Sequence, residues 1–266
     1  MNQVSPLLVA QVTDMHLFAD KDGELLGIPT TQSFQATIQR LLSLRPQPDL
    51  LLLTGDLSQD GTPKSYEHIQ NLLSPLSLPT YWLPGNHDCL KTMQQVLNQV
   101  PFSPCKAFEQ NGWQFILLNS SVPDYVHGYL SEEILDKLDF QLALTNDRST
   151  LVALHHPPLR VNSSWIDAST LQNAEDFFAV LDRHPQVKLV VFGHIHQEFN
   201  QQRQDVHYLG TPASSIQFEP QSSNFSLDRE EAPGFRLLNL YPDGRWETRI
   251  ERVAYTHQLN LAATGY

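Results

Sequence analysis

"DLLLLTGD", residues 49–56, sets four leucines between an aspartate and a polar Thr-Gly-Asp stop. A strand with one wet face alternates apolar and polar residues. A run that is apolar at every position suits a strand buried on both faces, the habit of a parallel sheet covered by helices. The pattern recurs in "PLLVAQVTD" (6–14), "TYWLPGNHD" (80–88), "WQFILLNSS" (113–121), "TLVALHHP" (150–157) and "KLVVFGHIH" (188–196). Each predicts a short buried strand that stops in polar residues.

Helical patterns separate these strands. Ser33 is placed to cap a helix carrying Phe34, Ile38, Leu41 and Leu42, and Thr62-Pro63 opens another with Tyr66, Ile69, Leu72 and Leu73. Ser131 precedes Glu132 and Glu133, acidic groups that the first turn of a helix favours, and Asn173 and Asp176 mark a fourth helix through Phe177, Phe178 and Leu181. Alternating strand and helix predicts an α/β fold with a largely parallel sheet and helices packed outside it. The last quarter differs: "DVHYLGTPASSIQF" (205–218) and "GFRLLNLYPDGRWETRIERV" (234–253) alternate polar and apolar residues around a "PDG" turn, predicting antiparallel strands in a second sheet. No linker or internal repeat divides the chain, so one domain over 1–266 is expected.

Composition narrows the function classes. A net charge of −12 leaves no electrostatic footprint for a nucleic-acid backbone or an anionic membrane, and neither partner is expected. The first residues lack the basic start and long apolar core of a signal peptide or membrane span, which makes the cytoplasm the expected compartment. Cys89 and Cys105 are too few for a disulfide framework and are expected to be packed, reduced thiols.

The strand ends carry the chemistry. Asp14 and His16, Asp56, Asn86 and His87, His155 and His156, and His194 and His196 all follow apolar runs. In open α/β sheets the carboxyl ends of strands present side chains to a common crevice. Imidazole and carboxylate without thiolate suit Zn, Mn, Fe or Ni, and the i, i+2 spacing of Asp14/His16 and His194/His196 lets a loop turn both side chains inward. The donors exceed what one ion needs, and a shared carboxylate can hold two ions at roughly 3.5 to 4 Å. Alone, an Asp-x-His or a Gly-Asp turn is commonplace; their joint occurrence at successive strand ends is what points to a metal site.

The ordered set Asp-x-His, Gly-Asp, Gly-Asn-His-Asp, His-His and Gly-His-x-His resembles the calcineurin-like metallophosphoesterase superfamily. "SWIDASTLQNA", "FGHIHQE", "TPASSIQFEP" and "SSNFSLD" further resemble the bacterial class III cyclic-AMP phosphodiesterases, and the similarity runs from "QVTDMHLFA" (11–19) to "ATGY" (263–266). The resemblance implies a four-layer αββα sandwich, two mixed β-sheets flanked by helices, with two metal ions of the Fe, Mn or Zn type. Asp14, His16, Asp56 and His196 would hold one ion and Asp56, Asn86, His155 and His194 the other, with His16, Asp56, Asn86, His87 and His196 facing substrate. The implied reaction is hydrolysis of 3′,5′-cyclic AMP to 5′-AMP by a metal-bridging hydroxide, with His87 the catalytic group at the phosphate or leaving oxygen. The alternatives are the same chemistry on a 2′,3′-cyclic nucleotide, another phosphodiester or a phosphoprotein, and a non-catalytic scaffold, which filled ligand positions argue against.

Many relatives pair the histidine at the His87 position with an aspartate three residues after the bridging one. Here that residue is Gln59, and Asp60 is the remaining candidate partner. His156 is read as a supporting or substrate contact beside His155, or as packed against Pro157 and Pro158. Trp165 could face a base, although packing is the expected role; Asn173 could bond a base edge, although a helix cap explains it; His127 is a pocket candidate or a turn residue before Gly128.

Overall fold

The computed structural model describes residues 5–255 and Asn260, so the "ATGY" stretch lies outside the described residues. One six-stranded sheet runs β14 (Trp246–Arg252), β13 (Gly234–Leu240), β1 (Leu7–Val12), β4 (Leu50–Thr54), β5 (Thr80–Leu83) and β6 (Phe102–Ser103), parallel from β1 to β6 and antiparallel from β14 to β1. The other runs β11 (Phe199–Arg203), β12 (Val206–Gly210), β10 (Val187–Phe192), β9 (Ser149–Ala153), β8 (Trp113–Leu117) and β7 (Ala107–Gln110), with β12 to β8 parallel and both edge strands antiparallel. A small ribbon of β2 (Glu24–Leu25) and β3 (Ile28–Pro29) precedes the first helix.

Strand alternation sorts the apolar residues into layers. In β4, Leu50 and Leu52 enter the layer between the sheets with Trp113, Phe115 and Leu189. Leu51 and Leu53 face α1 (Thr30–Ser43) and α2 (Pro63–Leu73) through Phe34, Ile38, Tyr66 and Ile69, with α3 (Leu90–Val96) beside them through Met93. On the far side, Ile116, Val152 and Val190 meet Leu138 and Leu142 of α4 (Glu132–Leu144), Ile166 of α5 (Ser164–Asp167), and Phe177 and Phe178 of α6 (Ala174–Leu181). Each such side chain, fully buried, contributes about 1.5–3 kcal/mol. The four-layer αββα arrangement is the result.

The sheets are not partitioned along the chain as strand periodicity suggests. The six buried strands divide three to each sheet, and the two late antiparallel pairs separate, 199–210 extending one sheet and 234–252 the other. Alternation within a strand reports which faces are buried, not which sheet the strand joins. Thr62 and Ser131 cap their helices by accepting from Ser65 N and Ile134 N. Ser33 does not cap: α1 begins at Thr30, and the buried Ser33 hydroxyl donates to the Ser214 carbonyl at 2.7 Å. The two cysteines are exposed rather than packed, since Cys89 ends a polar loop and Cys105 lies in the turn between β6 and β7.

Candidate metal centre

The loops after β1, β4, β5, β9 and β10 open on one side of the molecule, and the two sheets share the donors: Asp14, His16, Asp56 and Asn86 from one, His155, His194 and His196 from the other. The loops after β1 and β4 are zipped by Asp14 N to Gly55 O and His16 N to Asp56 O, both 3.0 Å. Asp14, His16, Asp56, His194 and His196 all have φ between 49° and 68°. Non-glycine residues enter this left-handed region at a cost, which tends to persist where function holds them there. It also gives the i, i+2 pairs their geometry, since the alternate left-handed residues turn both side chains to the same side.

Glycines make room for this crowding. A Cβ at Gly85 would overlap Asp56 Oδ1, one at Gly193 would overlap Thr13 Oγ1, and Gly55 has φ +94° against the His155 ring. The His194 N–H donates to both Asp14 oxygens at 3.2 and 3.1 Å, tying one sheet's loop to the other's. The His87 N–H donates to Asp56 Oδ1 at 2.9 Å, which leaves Oδ2 for another partner.

Three imidazoles are oriented through Nδ1. His16 contacts Gln59 Oε1 at 2.6 Å, His155 the Thr54 carbonyl at 2.8 Å, and His196 the Ile216 carbonyl at 2.9 Å. An Nδ1–H engaged in this way leaves the Nε2 lone pair as the ligand, the usual outer support of a metal-binding histidine. The Nε2 atoms converge: His16 and His196 are 3.3 Å apart, His196 is 3.4 Å from Asp14 Oδ1, and His155 and His16 are 3.2 and 3.9 Å from Asp56 Oδ2. Asn86 Oδ1 lies 3.0 Å from His194 Nδ1, whose Nε2 contacts Ser169 Oγ at 2.9 Å.

Electrostatics gives the same picture. Asp14, Asp56, His16, His155 and His196 are all fully buried. Burial opposes ionisation of Asp56, yet His155 and His87 hold its carboxyl well below the usual range. Burial likewise opposes protonation of His155, but Asp56 and Asp14 raise it to about 9; burial pushes His16 down to about 3 and His194 well below its ordinary value. Asp56 Oδ2 and His155 Nε2 are buried and face each other at 3.2 Å, with no other hydrogen-bond partner. Two lone-pair nitrogens facing each other at 3.3 Å beside buried carboxylates suit a shared cation, so this donor set fits metal ions. Asp14, His16 and His196, and separately Asp14, Asp56 and His155, bring donor atoms within 4.8 Å of one another.

A family profile described as calcineurin-like phosphoesterase matches residues 7–198, the segment that carries every donor above. The chain belongs to that family. The family binds two metal ions. The chain is 57% identical to a 3′,5′-cyclic-nucleotide phosphodiesterase of Nostoc sp., over 99% of both chains. It is 41% identical to the 3′,5′-cyclic adenosine monophosphate phosphodiesterase CpdA of Escherichia coli, covering 97% of this chain and 94% of that one. A dimetal phosphatase from Danio rerio shares the fold with a TM-score of 0.68 at 15% identity, over 95% of this chain and 98% of the other. No helix among the described residues is long and apolar enough to cross a membrane.

Of the remaining sequence candidates, His87 brings a donor atom within 4.8 Å of His16 and Asp56, and His156 within 4.8 Å of His155 and His194, while the others fall elsewhere. His87, half-buried, sets its ring edge-on to His16 at 5.0 Å, beside the cluster. Asp60 is occupied by Ala19 N at 2.7 Å and by the Thr62 backbone and hydroxyl at 3.1 and 2.9 Å, so it shapes the turn into α2; Gln59 supports His16. His156 is buried next to Gly128, with Nδ1 on Ser120 Oγ and Nε2 on the Val126 carbonyl. Trp165 packs edge-on against Phe218 and Phe225 at 4.8 and 5.1 Å, while Phe218 stacks on His196 at 4.1 Å. His127 pairs with the exposed Tyr125. Asn173 sits at the head of α6 but caps nothing with its side chain: its amide spans the Leu130 backbone, accepting from N at 3.0 Å and donating to O at 2.8 Å.

Asp88 carries a role that sequence reasoning missed. Its carboxylate accepts from Leu57 N, Ser58 N, Gly85 N and Tyr66 Oη between 2.9 and 3.1 Å, clamping the Asp56 loop to the Asn86 loop. Burial and Asp56 raise its pKa to about 6. The "GNHD" motif contained the signal, an aspartate directly after Asn86 and His87. Ser169 lay in "SWIDAST" with no local cue that it reaches His194.

Proposed function

We propose that the chain, acting as one domain, is a two-metal phosphodiesterase that hydrolyses 3′,5′-cyclic AMP to 5′-AMP. The observation that carries the metal chemistry is the convergence of buried carboxylate and imidazole donors around Asp56, whose Oδ2 faces His155 Nε2 at 3.2 Å and has no other hydrogen-bond partner. The substrate rests on the near full-length likeness to relatives named cyclic-nucleotide phosphodiesterases. Asp14, His16, Asp56 and His196 are assigned to one cation and Asp56, Asn86, His155 and His194 to the other, Fe, Mn or Zn being the candidates. Bound there, the cation pair supplies Lewis acidity that acidifies water and draws charge from the phosphoryl oxygens.

The chain's own residues do the rest. Gln59, Thr54 O and Ile216 O hold three imidazoles with Nε2 inward, and Asp88 holds the Asp56 and Asn86 loops together. Water adds to phosphorus in line with the P–O3′ bond as that bond breaks; the sum is one water added across one P–O bond, since the attacking water gives up one proton to solvent and O3′ takes one. His87 stands at the cluster's half-buried side, where it can bind a phosphoryl oxygen and donate that proton. Asn86, His16, Asp56 and His196 face the same phosphate.

A hydrolysis panel tests the reading: 3′,5′-cyclic AMP, 3′,5′-cyclic GMP, a 2′,3′-cyclic nucleotide, a generic diester and a monoester, with Mn and Fe supplied in turn. Cyclic AMP turned over fastest and 5′-AMP as sole product are expected. Preferential cleavage of the monoester or the 2′,3′ ring would move the substrate assignment, and inactivity on every ester with metal bound would end it.

A further inference from the structure

β1 sends Leu7 and Val9 into the apolar layer between the sheets, and the next residue facing that way is Gln11, fully buried. A primary amide in such a layer is tolerated only with partners. Gln11 has them on both sheets. Its Nε2 donates to Thr54 Oγ1 at 3.0 Å on its own sheet and to the Phe192 carbonyl at 3.1 Å on the other, and its Oε1 accepts from Thr211 Oγ1 at 2.7 Å. Thr211 Oγ1 in turn accepts from Arg236 Nε at 3.2 Å. The remaining guanidinium donors reach Thr248 Oγ1, Gly210 O and Phe199 O.

The chain of bonds ends at the proposed metal centre. Thr54, whose hydroxyl Gln11 holds, presents its carbonyl to His155 Nδ1 at 2.8 Å and to Thr13 Oγ1 at 3.1 Å. Phe192, whose carbonyl Gln11 holds, ends the strand leading to Gly193 and His194. Apolar packing between sheets is non-directional and resists sliding weakly, whereas a buried amide bonded to both sheets fixes one register. The donors come from both sheets, so their mutual distances depend on that register.

We infer that Gln11 is a positioning residue, its amide locking the two sheets together one layer beneath the donors and so setting the spacing at which they hold two cations. This rests on the two-cation reading above. A polar residue interrupting an otherwise apolar face is where local patterning yields to a site.

The test uses the full chain stripped of metal and titrated with Co(II), following visible absorption and binding heat, with folding checked by the thermal melt of the apo form. Wild type is expected to take two equivalents. Gln11→Leu is expected to melt cooperatively yet bind one equivalent about tenfold to hundredfold more weakly, with an altered Co(II) spectrum, the scale seen when outer supports of a metal site are removed. Thr211→Val, which removes one hydroxyl, should shift affinity the same way by less, and Thr211→Ser should restore it. A folded Gln11→Leu chain with wild-type affinities and spectrum overturns the inference. Should Gln11→Leu not fold, equal Co(II) affinities in Thr211→Val and Thr211→Ser overturn it. A wild-type chain taking fewer than two equivalents breaks the two-cation reading, and this inference with it.

Discussion

Asp14, His16, Asp56, His194 and His196 occupy left-handed backbone and aim buried donor atoms at one place, whereas Trp165 in α5, Asn173 at the head of α6 and His127 before Gly128 are held by ring packing and backbone bonds around it. The first region is over-determined: Gly55, Gly85 and Gly193 make space, Asp88 clamps two loops, and carbonyls fix the histidine tautomers. The second is held by ordinary packing and backbone contacts. A metal site needs fixed donor geometry before anything binds, while the residues around it have their own packing to satisfy.

The strongest way to break this contrast is Asp56→Ala, which should abolish hydrolysis and lower bound metal while the chain still melts cooperatively. Full activity with two metals bound would show that the cluster is not the reacting centre. Next in size is His87→Ala, expected to keep both metals and lose about 10²–10⁴-fold in kcat. Metal analysis beside kinetics separates the outcomes, because loss of a cation would make His87 a ligand.

The outer region should respond in stability rather than catalysis. Trp165→Ala is expected to cost roughly 2 kcal/mol, below the range for a fully buried Trp, with KM for cyclic AMP changing less than about threefold. A tenfold rise in KM at unchanged stability would make Trp165 a base platform. Asn173→Ala removes both bonds to Leu130 and should cost about 1–3 kcal/mol in denaturant titration, again sparing KM.

The smallest effect belongs to the support beneath β5. Lys106 Nζ donates to the Trp82 carbonyl at 2.5 Å and lies over the Trp82 ring, and burial lowers its pKa to about 7. The folded pKa is below the unfolded one, so between about 7 and 10.5 the unfolded chain binds more protons and stability rises with pH. Lys106→Met should therefore gain most over wild type near pH 6 and least near pH 10, read from paired melting temperatures. A pH-independent difference would mean the ammonium is not penalised.

Much of the site was legible because its signals are local. Apolar runs ending in Asp-x-His, Gly-Asp, Gly-Asn-His-Asp, His-His and Gly-His-x-His marked both the strands and the residues that converge. Thr62 and Ser131 were readable as caps because a cap bonds within its own first turn. Asn173 misled for the same reason: it occupies a cap position but finds a better partner 43 residues away.

The sequence by itself therefore determined which segments are buried strands and which side chains stand at their ends, since side-chain period and turn chemistry act over a few residues. Only the tertiary structure decided that the strands divide between two sheets, that Gln59 contacts His16 while Asp60 shapes the turn into α2, and that Asp88 and Gln11 tie the halves together. Those choices rest on hydrogen bonds between residues far apart in the chain, and no local pattern encodes the partner of a buried polar group.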